Sequence, residues 1–370
     1  MKYLIFDSKP FEHEPYPSDE QMLSENLFLD NIGNLYFFNA VIRSLRKPGN
    51  TFHRNIPGTN LDDYDRCLLI HANNIRDGAS HFYEHWYHEM ERCKTPFVVI
   101  GVGTDSWNGF DVYLSDETVD TVRKCFTRFL ERTPSIGVRG EYTKKALVEL
   151  VGLPASRIDV IGCPSVRYFG KHLEKHPREY KSFDSRLRIA VNYTSYCYDN
   201  DEAIYLYQLL KSHENSFVSF TDKVEAELLL HGKPLPPDRQ HDLLPTRPDH
   251  FILQQGRAVF SPTQAGELEL MGGFDFSIGS RIHQAVIAVL AGCPAMLIAH
   301  SVRVLEIAQH HHIPYITRQE LITQRPDLKE LYRRACRGME AFYRHYDEKL
   351  VEYTDFLQKN GLEVNPDFLL

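Results

Sequence analysis

An arginine and a histidine two residues apart, Arg281 and His283, carry the strongest chemical signal in the sequence. They lie in the segment FSIGSRIHQA, where an apolar run ends and a helical pattern begins. The positive end of a helix dipole disfavours a charged imidazole there and favours a bound anion. Helix capping explains Ser280, but packing does not explain an Arg-x-His pair beside such an apolar run. We predict that Arg281 and His283 are catalytic and that Ser280 binds substrate.

Two glycine-containing segments in the first half of the chain have a similar character. In IGVRGE, Arg139 follows a predicted strand, and its planar guanidinium suits two-point binding of a phosphate or carboxylate. The alternative is a salt bridge to Glu141. In VIGVGT, Gly103 and Thr104 end a strand at the sheet edge where ligands bind in open α/β sheets. The alternative for this segment is a tight turn without a ligand.

Two further segments place polar groups next to predicted helices. In DNIGN, the backbone N–H groups and the helix dipole suit an anion, so Asn31, Gly33 and Asn34 are candidate binding residues. The segment HSVRVLE follows a later strand at the same sheet edge, which adds His300 and Glu306. For both segments the alternative is helix capping by the asparagine or the serine.

Several familiar chemistries lack their motifs. The sequence contains no G-x-S-x-G, G-x-x-x-x-G-K-[ST] or H-E-x-x-H segment, and VIGVGTDS is not a G-x-G-x-x-G nicotinamide fingerprint. A predicted helix carries His81, Glu84, His85 and His88 on one face, but surface helices often carry such residues, so we predict no metal site. The three histidines at 310–312 are interpreted as a solvated helix end.

The elements that must position these residues alternate between strands and helices. The strands are nearly continuous apolar runs, as expected for parallel strands covered on both faces. Helices are predicted at 116–131, 141–151 and 326–360. The pattern indicates doubly wound α/β units. The predicted strands are 3–6, 66–70, 97–102, 135–138, 158–161, 187–192, 216–220, 258–260, 274–278 and 295–299.

The same alternation suggests two domains. We predict a Rossmann-like domain at 1–170, a polar linker at 171–186 and a second Rossmann-like, donor-binding domain at 187–325. The segment 326–370 is predicted to be helical and to pack back across the first domain. A proline-rich loop at 232–248 is a candidate contributor to an acceptor site.

Composition limits the partners and the compartment. The 370 residues carry a net charge of −8, which excludes a bulk attraction to nucleic acid or to an anionic membrane. The seven cysteines are scattered and odd in number, as expected for reduced thiols in a cytoplasm. No apolar run approaches the length of a membrane span. We expect a cytoplasmic protein with at most peripheral contact at the inner face of the membrane.

Taken together, these segments resemble the polysaccharide pyruvyl transferase family. The resembling pieces are NIGN, VIGVG, IGVRGEYT, DVIGCPS and SIGSRIHQAVIAVLAGCPAMLIAH, in the family's order. The Val-Arg-x-Glu and Ser-Arg-x-His blocks are specific, whereas the glycine strands are not. The resemblance implies a GT-B-like pair of Rossmann domains that face a cleft.

The resemblance also implies an activity. The family's donor is phosphoenolpyruvate, with no cofactor, and its product is a pyruvate ketal on a sugar, with phosphate released. The expected acceptor is a sugar of a surface polysaccharide or of its lipid-linked precursor. The donor-binding residues would be Arg139, Arg281 and His283, with His283 as proton donor or phosphate ligand. Many members have Asn-x-Gly-Asp where this chain has Asn34, which puts the role of that aspartate in question.

Two other functions fit the same residues. A nucleotide-sugar glycosyltransferase would use the same two-domain cleft, with Glu306 holding a ribose. A non-catalytic relative would bind a glycan or a partner without turnover, which the Asn34 departure allows. Phosphoenolpyruvate and a nucleotide sugar are the ligands that discriminate the first two.

Overall fold

The computed structural model describes residues 1–6, 18–106, 109–175, 180–197 and 199–369. In these residues twelve strands form two six-stranded parallel sheets, one in each half of the chain. The strands are β1 Lys2–Phe6, β2 Thr51–Arg54, β3 Arg66–Ile70, β4 Phe97–Val102, β5 Ile136–Val138, β6 Ile158–Val160, β7 Ile189–Asn192, β8 Ser216–Ser219, β9 Ala258–Val259, β10 Phe276–Gly279, β11 Ala295–Ala299 and β12 Tyr315–Thr317.

The strand orders explain where the loops converge. The first sheet has the order β2-β1-β3-β4-β5-β6 and the second β12-β11-β10-β7-β8-β9. Numbered within its own half, the second sheet has the Rossmann order, whose reversal point lies between β7 and β10. Ligands bind beyond the carboxyl ends of strands at such a point. The loops after β7 and β10 are therefore placed to form a site.

Helices cover both sheets and start at recognisable caps. In α4 the Ser115 hydroxyl accepts from the Thr118 N–H, and in α12 Thr317 and Glu320 form a capping box. The helices are α1 Asp19–Ser24, α2 Ile32–Leu45, α3 Ser80–Glu91, α4 Asp116–Leu130, α5 Glu141–Glu149, α6 Asn200–Ser212, α7 Lys223–His231, α8 Phe251–Gln254, α9 Gln264–Gly272, α10 Ile282–Leu290, α11 Val302–His311, α12 Arg318–Gln324 and α13 Leu328–Lys359.

The long helix α13 packs against both halves of the molecule. Its first turns bury Leu331 and Tyr332 in the core of the second sheet. Farther along, Phe356 lies so close to β5 that a Cβ atom on Gly137 would be 2.7 Å from its ring. The Asn360 amide, which follows the helix, accepts from the Ser135 N–H at 3.2 Å. The prediction that the C-terminal helix packs back across the first domain is thus confirmed.

The two-sheet α/β fold is also confirmed, and the differences in detail have physical causes. The edge strands β2 and β12 were not predicted, because β2 is largely exposed and β12, with the sequence YIT, has no apolar run. The domain limits at 170, 186 and 325 stay predictions, and residues 176–179 of the proposed linker lie outside the described residues.

The histidines at 310–312 correct one interpretation, because His310 and His311 are not part of a solvated helix end; the His310 side chain is 7% exposed. His311 is 2% exposed, and its Nε2 accepts from the Cys163 N–H at 2.8 Å. Its Nδ1 lies 2.9 Å from the Arg167 guanidinium. His312, at the end of α11, is half-buried and stacks on the ring of His345, with 3.9 Å between the ring centroids.

Candidate active site in the cleft

A cavity of about 420 Å³ opens at the carboxyl ends of the strands, between the two halves of the chain. Four cationic side chains and two carboxylates line it, so it attracts anions. A larger cavity of about 650 Å³, beside β2, is lined by other residues, including His85 and Arg92. The cleft cavity is lined by Leu29, Asp30, Asn31, Asn34, Ala72, Asn73, Arg139, Tyr196, Asp222, Lys223, Val224, Arg239, His283 and Arg303.

Arg139 is held rigidly at the end of β5. Its Nε donates to the Gly101 carbonyl at 2.8 Å, and its Nη1 donates to the Asn73 side-chain oxygen at 2.9 Å. The guanidinium also lies 4.9 Å from the ring centroid of Phe37. Burial lowers the pKa of Arg139, because the charged form loses hydration. The side chain is therefore a preorganised cation at the cavity wall.

His283 lies in the first turn of α10 and faces the same cavity. Its Nε2 is buried and has no hydrogen-bond partner among the described residues. Burial, with the charges of Arg139, Arg303 and Arg281, lowers the pKa of His283 to about 3. The imidazole is thus neutral in the free protein, and a bound anion would be needed to raise that pKa.

Arg303 completes this cationic group from the start of α11. It lies 3.7 Å from the Asp105 carboxylate, and its Nε has no hydrogen-bond partner among the described residues. Its charge acts on both Arg139 and His283. Two arginines and a neutral imidazole from three different strand ends therefore share one part of the cavity.

The DNIGN turn brings the first half of the chain to His283. Asn31 caps α2, since its side-chain oxygen accepts from the Gly33 N–H at 2.8 Å. A Cβ atom on Gly33 would lie 2.2 Å from Nδ1 of His283, so only glycine fits there. The Asn34 amide donates to the Leu29 carbonyl at 2.8 Å, which stabilises the turn beside the cavity.

Arg281 is differently placed from its neighbour His283. Its Nη2 donates to the carboxylates of Asp222, at 2.7 Å, and Glu225. Burial acts to lower its pKa, but the two carboxylates outweigh burial and the pKa of Arg281 is raised. Its guanidinium is not part of the cavity wall. The structure therefore brings His283 to the cavity and sets Arg281 behind it.

The other predicted residues lie behind the cavity wall. The Glu306 carboxylate accepts from the Thr143 N–H at 3.0 Å and from the Thr143 hydroxyl at 2.8 Å, and burial raises its pKa to about 7. The Thr104 N–H donates to the same hydroxyl at 2.9 Å. Glu306 is also 1% exposed and is not part of the cavity wall, which does not suit a residue that holds a ribose. A Cβ atom on Gly103 would lie 2.9 Å from the Arg139 side chain, so any larger residue at position 103 would push Arg139 aside.

Ser280 and His300 are also buried near the cleft. The Ser280 hydroxyl accepts from the Thr194 N–H at 3.0 Å, which joins the loops after β7 and β10. Burial lowers the pKa of His300 to about 3, and the charges of Arg318 and Arg303 act in the same direction. Neither residue is part of the cavity wall, so the structure gives both a supporting place.

Sequence reasoning missed several cavity residues. They are Asn73, Tyr196, Asp222, Lys223, Arg239 and Arg303. Most lie in the first few residues after a parallel strand, the same signal that identified Arg139. Arg239 is different, because it comes from the proline-rich loop that was proposed for an acceptor site. In the described residues no group of three or more histidine, cysteine, aspartate or glutamate side chains is placed to hold a metal ion.

Comparisons with known proteins identify a family. A family model described as polysaccharide pyruvyl transferase matches residues 31–302, which is most of the chain. No curated protein matches the sequence. Over the described residues, no helix has both the length and the apolar character needed to cross a bilayer.

Several solved structures are similar to this one at low sequence identity and with TM-scores below 0.5. MnaA of S. aureus in complex with UDP is 10% identical with a TM-score of 0.48, and the match covers 96% of this chain and 98% of that one. The UDP-GlcNAc 2-epimerase of Neisseria meningitidis bound to UDP-GlcNAc is 10% identical with a TM-score of 0.45, covering 95% and 100%. The wall teichoic acid polymerase TagF is 11% identical with a TM-score of 0.42, covering 97% and 89%.

Proposed function

The chain belongs to the polysaccharide pyruvyl transferase family, and we propose that it moves the enolpyruvyl group of phosphoenolpyruvate onto a sugar. The proposed products are a pyruvate ketal and free phosphate, and no cofactor is needed. The observation that carries the proposal is the convergence of Arg139, Arg303 and the unpartnered Nε2 of His283 on one cavity. The proposed acceptor is a sugar of a surface polysaccharide or of its lipid-linked precursor.

The charges of this group suit the donor. Phosphoenolpyruvate carries a carboxylate and a phosphate, with close to three negative charges in all. Two arginines with fixed planar forks bind such groups at two points each and stabilise charge that moves onto the phosphate. Arg139 is preorganised by the Gly101 carbonyl and Asn73, so little reorganisation is needed when the donor binds.

His283 has a consistent role in the reaction. A bound trianion beside its Nε2 would favour the protonated imidazole, which then donates that proton to the methylene carbon of the donor. The first sugar hydroxyl attacks the resulting cationic carbon and gives its proton to His283, which is neutral again after the first step. The second hydroxyl forms the other C–O bond as the bond from that carbon to the phosphate oxygen breaks. Phosphate leaves with the bonding pair and takes up the proton of the second hydroxyl. Arg139 and Arg303 stabilise the departing phosphate.

Thermal unfolding with two classes of ligand tests the donor. A ligand at a hundredfold excess over its dissociation constant stabilises the native state by about 2.7 kcal/mol. We expect phosphoenolpyruvate to raise the melting temperature of the wild type, and Arg303→Gln to remove most of that shift. Arg92→Gln, which removes an arginine from the cavity beside β2, is the matched control and should keep it.

The nucleotide-sugar alternative has its own outcome in this experiment. A shift with UDP-GlcNAc and none with phosphoenolpyruvate would replace the pyruvyl donor by a nucleotide sugar. Binding of phosphoenolpyruvate with equal affinity by wild type and Arg303→Gln would show that the donor binds elsewhere.

A further inference from the structure

We propose that Arg281 is a positioning residue that fastens the two halves of the cleft together through Asp222 and Asn31, and does not bind the donor. We call Arg281, Asp222 and Asn31 the latch. The amide-exchange test below is independent of the proposed function, and only the donor-binding test rests on it.

Arg281 is held in place by residues of the second half of the chain. Its backbone N–H donates to the Asn192 side chain at 2.9 Å, and its Nε donates to the Tyr193 carbonyl at 2.8 Å. Its Nη2 is shared by the carboxylates of Asp222 and Glu225. The side chain is 6% exposed. Two carboxylates on one buried guanidinium leave no net positive charge for a second anion.

Asp222 connects Arg281 to the first half of the chain. One of its carboxylate oxygens accepts from Arg281, and the other accepts from the Asn31 amide. Around this contact the backbones of residues 30–32 and 221–223 are joined by two hydrogen bonds, with N···O distances of 3.1 and 2.9 Å. The other end of the Asn31 amide holds the Gly33 N–H. The latch therefore runs from β10 to the turn that packs against His283.

The two explanations of Arg281 predict opposite effects for Asp222→Asn. If Arg281 binds the donor, removing a neighbouring carboxylate frees its charge and phosphoenolpyruvate binds more tightly. If Arg281 acts through the latch, asparagine cannot accept from both Arg281 and Asn31, so the turn loosens and phosphoenolpyruvate binds more weakly. Glu225→Gln is the matched control, since it removes the same charge from Arg281 but leaves the bond between Asp222 and Asn31. Its amide oxygen can still accept from the Thr221 and Asp222 N–H groups, as the Glu225 carboxylate does.

Amide hydrogen exchange measures the latch without any ligand. The N–H groups of Ile32 and Lys223 make the two backbone bonds between the halves. We expect Asp222→Asn and Arg281→Gln to speed exchange at both amides by about tenfold or more, as loss of a charged hydrogen bond does. Glu225→Gln should change it less than about threefold. Exchange at Val191, in the core of the second sheet, should stay as in the wild type and shows that the variants fold.

A further variant changes the latch at Asn31, in the first half of the chain. Asn31→Ser keeps a hydroxyl that caps α2 but removes the amide that donates to Asp222, and it leaves Arg281 untouched. We expect the same faster exchange at Ile32 and Lys223. Unchanged exchange in Asn31→Ser and Asp222→Asn would overturn the proposal. So would tighter phosphoenolpyruvate binding by Glu225→Gln, which frees the charge of Arg281 without removing a carboxylate from the cavity wall. If the wild type does not bind phosphoenolpyruvate, the proposed function fails, while the exchange rates still test the latch.

Discussion

Replacing Gly33 by alanine places one methyl group against the imidazole of His283. The added carbon would lie 2.2 Å from Nδ1, 2.3 Å from Cγ and 2.4 Å from Cβ of His283. Carbon atoms normally approach to about 3.5 Å, so the imidazole or the turn must move by about 1.2 Å. Gly33 does not have a left-handed backbone, so the strain is confined to this contact.

Both the stability and the ligand affinity should respond to Gly33→Ala. Forcing extra atoms into a packed site costs about 1–3 kcal/mol in the free energy of unfolding, measured with urea. A displacement of about 1 Å in a binding group lowers function by roughly 100-fold, so we expect the dissociation constant of phosphoenolpyruvate to rise by about one to two orders of magnitude. Calorimetric titration measures that constant.

Gly338→Ala separates crowding in general from crowding of His283. Gly338 lies in α13, and a Cβ atom there would be 2.4 Å from Pro314, away from the cavity. This variant should lose stability but bind phosphoenolpyruvate as the wild type does. His283→Gly removes the ring and its Cβ, so in that background Gly33→Ala should no longer be destabilising. Wild-type affinity and stability in Gly33→Ala, or additive losses in the double variant, would refute the argument.

Three further predictions concern protons. Binding of phosphoenolpyruvate should take up a proton, because the donor raises the pKa of His283 from about 3; calorimetry in two buffers of different ionisation enthalpy measures the uptake, and His283→Asn should abolish it. Burial lowers the pKa of His310 to about 3, from 6.5 in the unfolded chain. Between these two pH values unfolding takes up a proton, so the free energy of unfolding falls by about 1.4 kcal/mol for each pH unit of acidification. His310→Gln should reduce the pH dependence of urea stability by that amount, and an unchanged slope would contradict the assignment. Burial raises the pKa of Glu306 to about 7, from 4.5 in the unfolded chain. The folded state therefore has its full stability below pH 4.5, where this carboxyl is protonated, and loses about 3 kcal/mol as the pH rises to 7. Glu306→Gln should remove that loss in the same urea titration, whereas a wild-type pH profile would show that this carboxyl is already ionised.

The sequence predicts the sheets well because parallel strands are buried on both faces. β4, for example, is buried at all six positions and reads as an unbroken apolar run. β2 could not be predicted in this way, because it is an exposed edge strand and its sequence, TFHR, contains no apolar run.

The candidate site was predictable where a polar residue directly follows such a strand. Arg139 and His283 were identified in this way, and Arg303 carries the same signal. The pairing of Arg281 with Asp222 and Glu225 was not predictable, because those carboxylates lie 59 and 56 residues away in the chain. Local pattern shows that a charge lies at a sheet edge, but only the fold shows which opposite charge it meets.

The helix α13 determines when the first half of the molecule can be completed. Tyr353 and Phe356 lie in the same core as Tyr3 and Ile5, although about 350 residues of chain separate them. During synthesis the first sheet leaves the ribosome long before α13, so part of its apolar surface stays uncovered until both sheets have been made. We expect the first half to wait in an incompletely packed state that chaperones recognise. The packing of α13 on the first sheet, and with it the assembly of the cleft, is then a late step in the folding of each new chain.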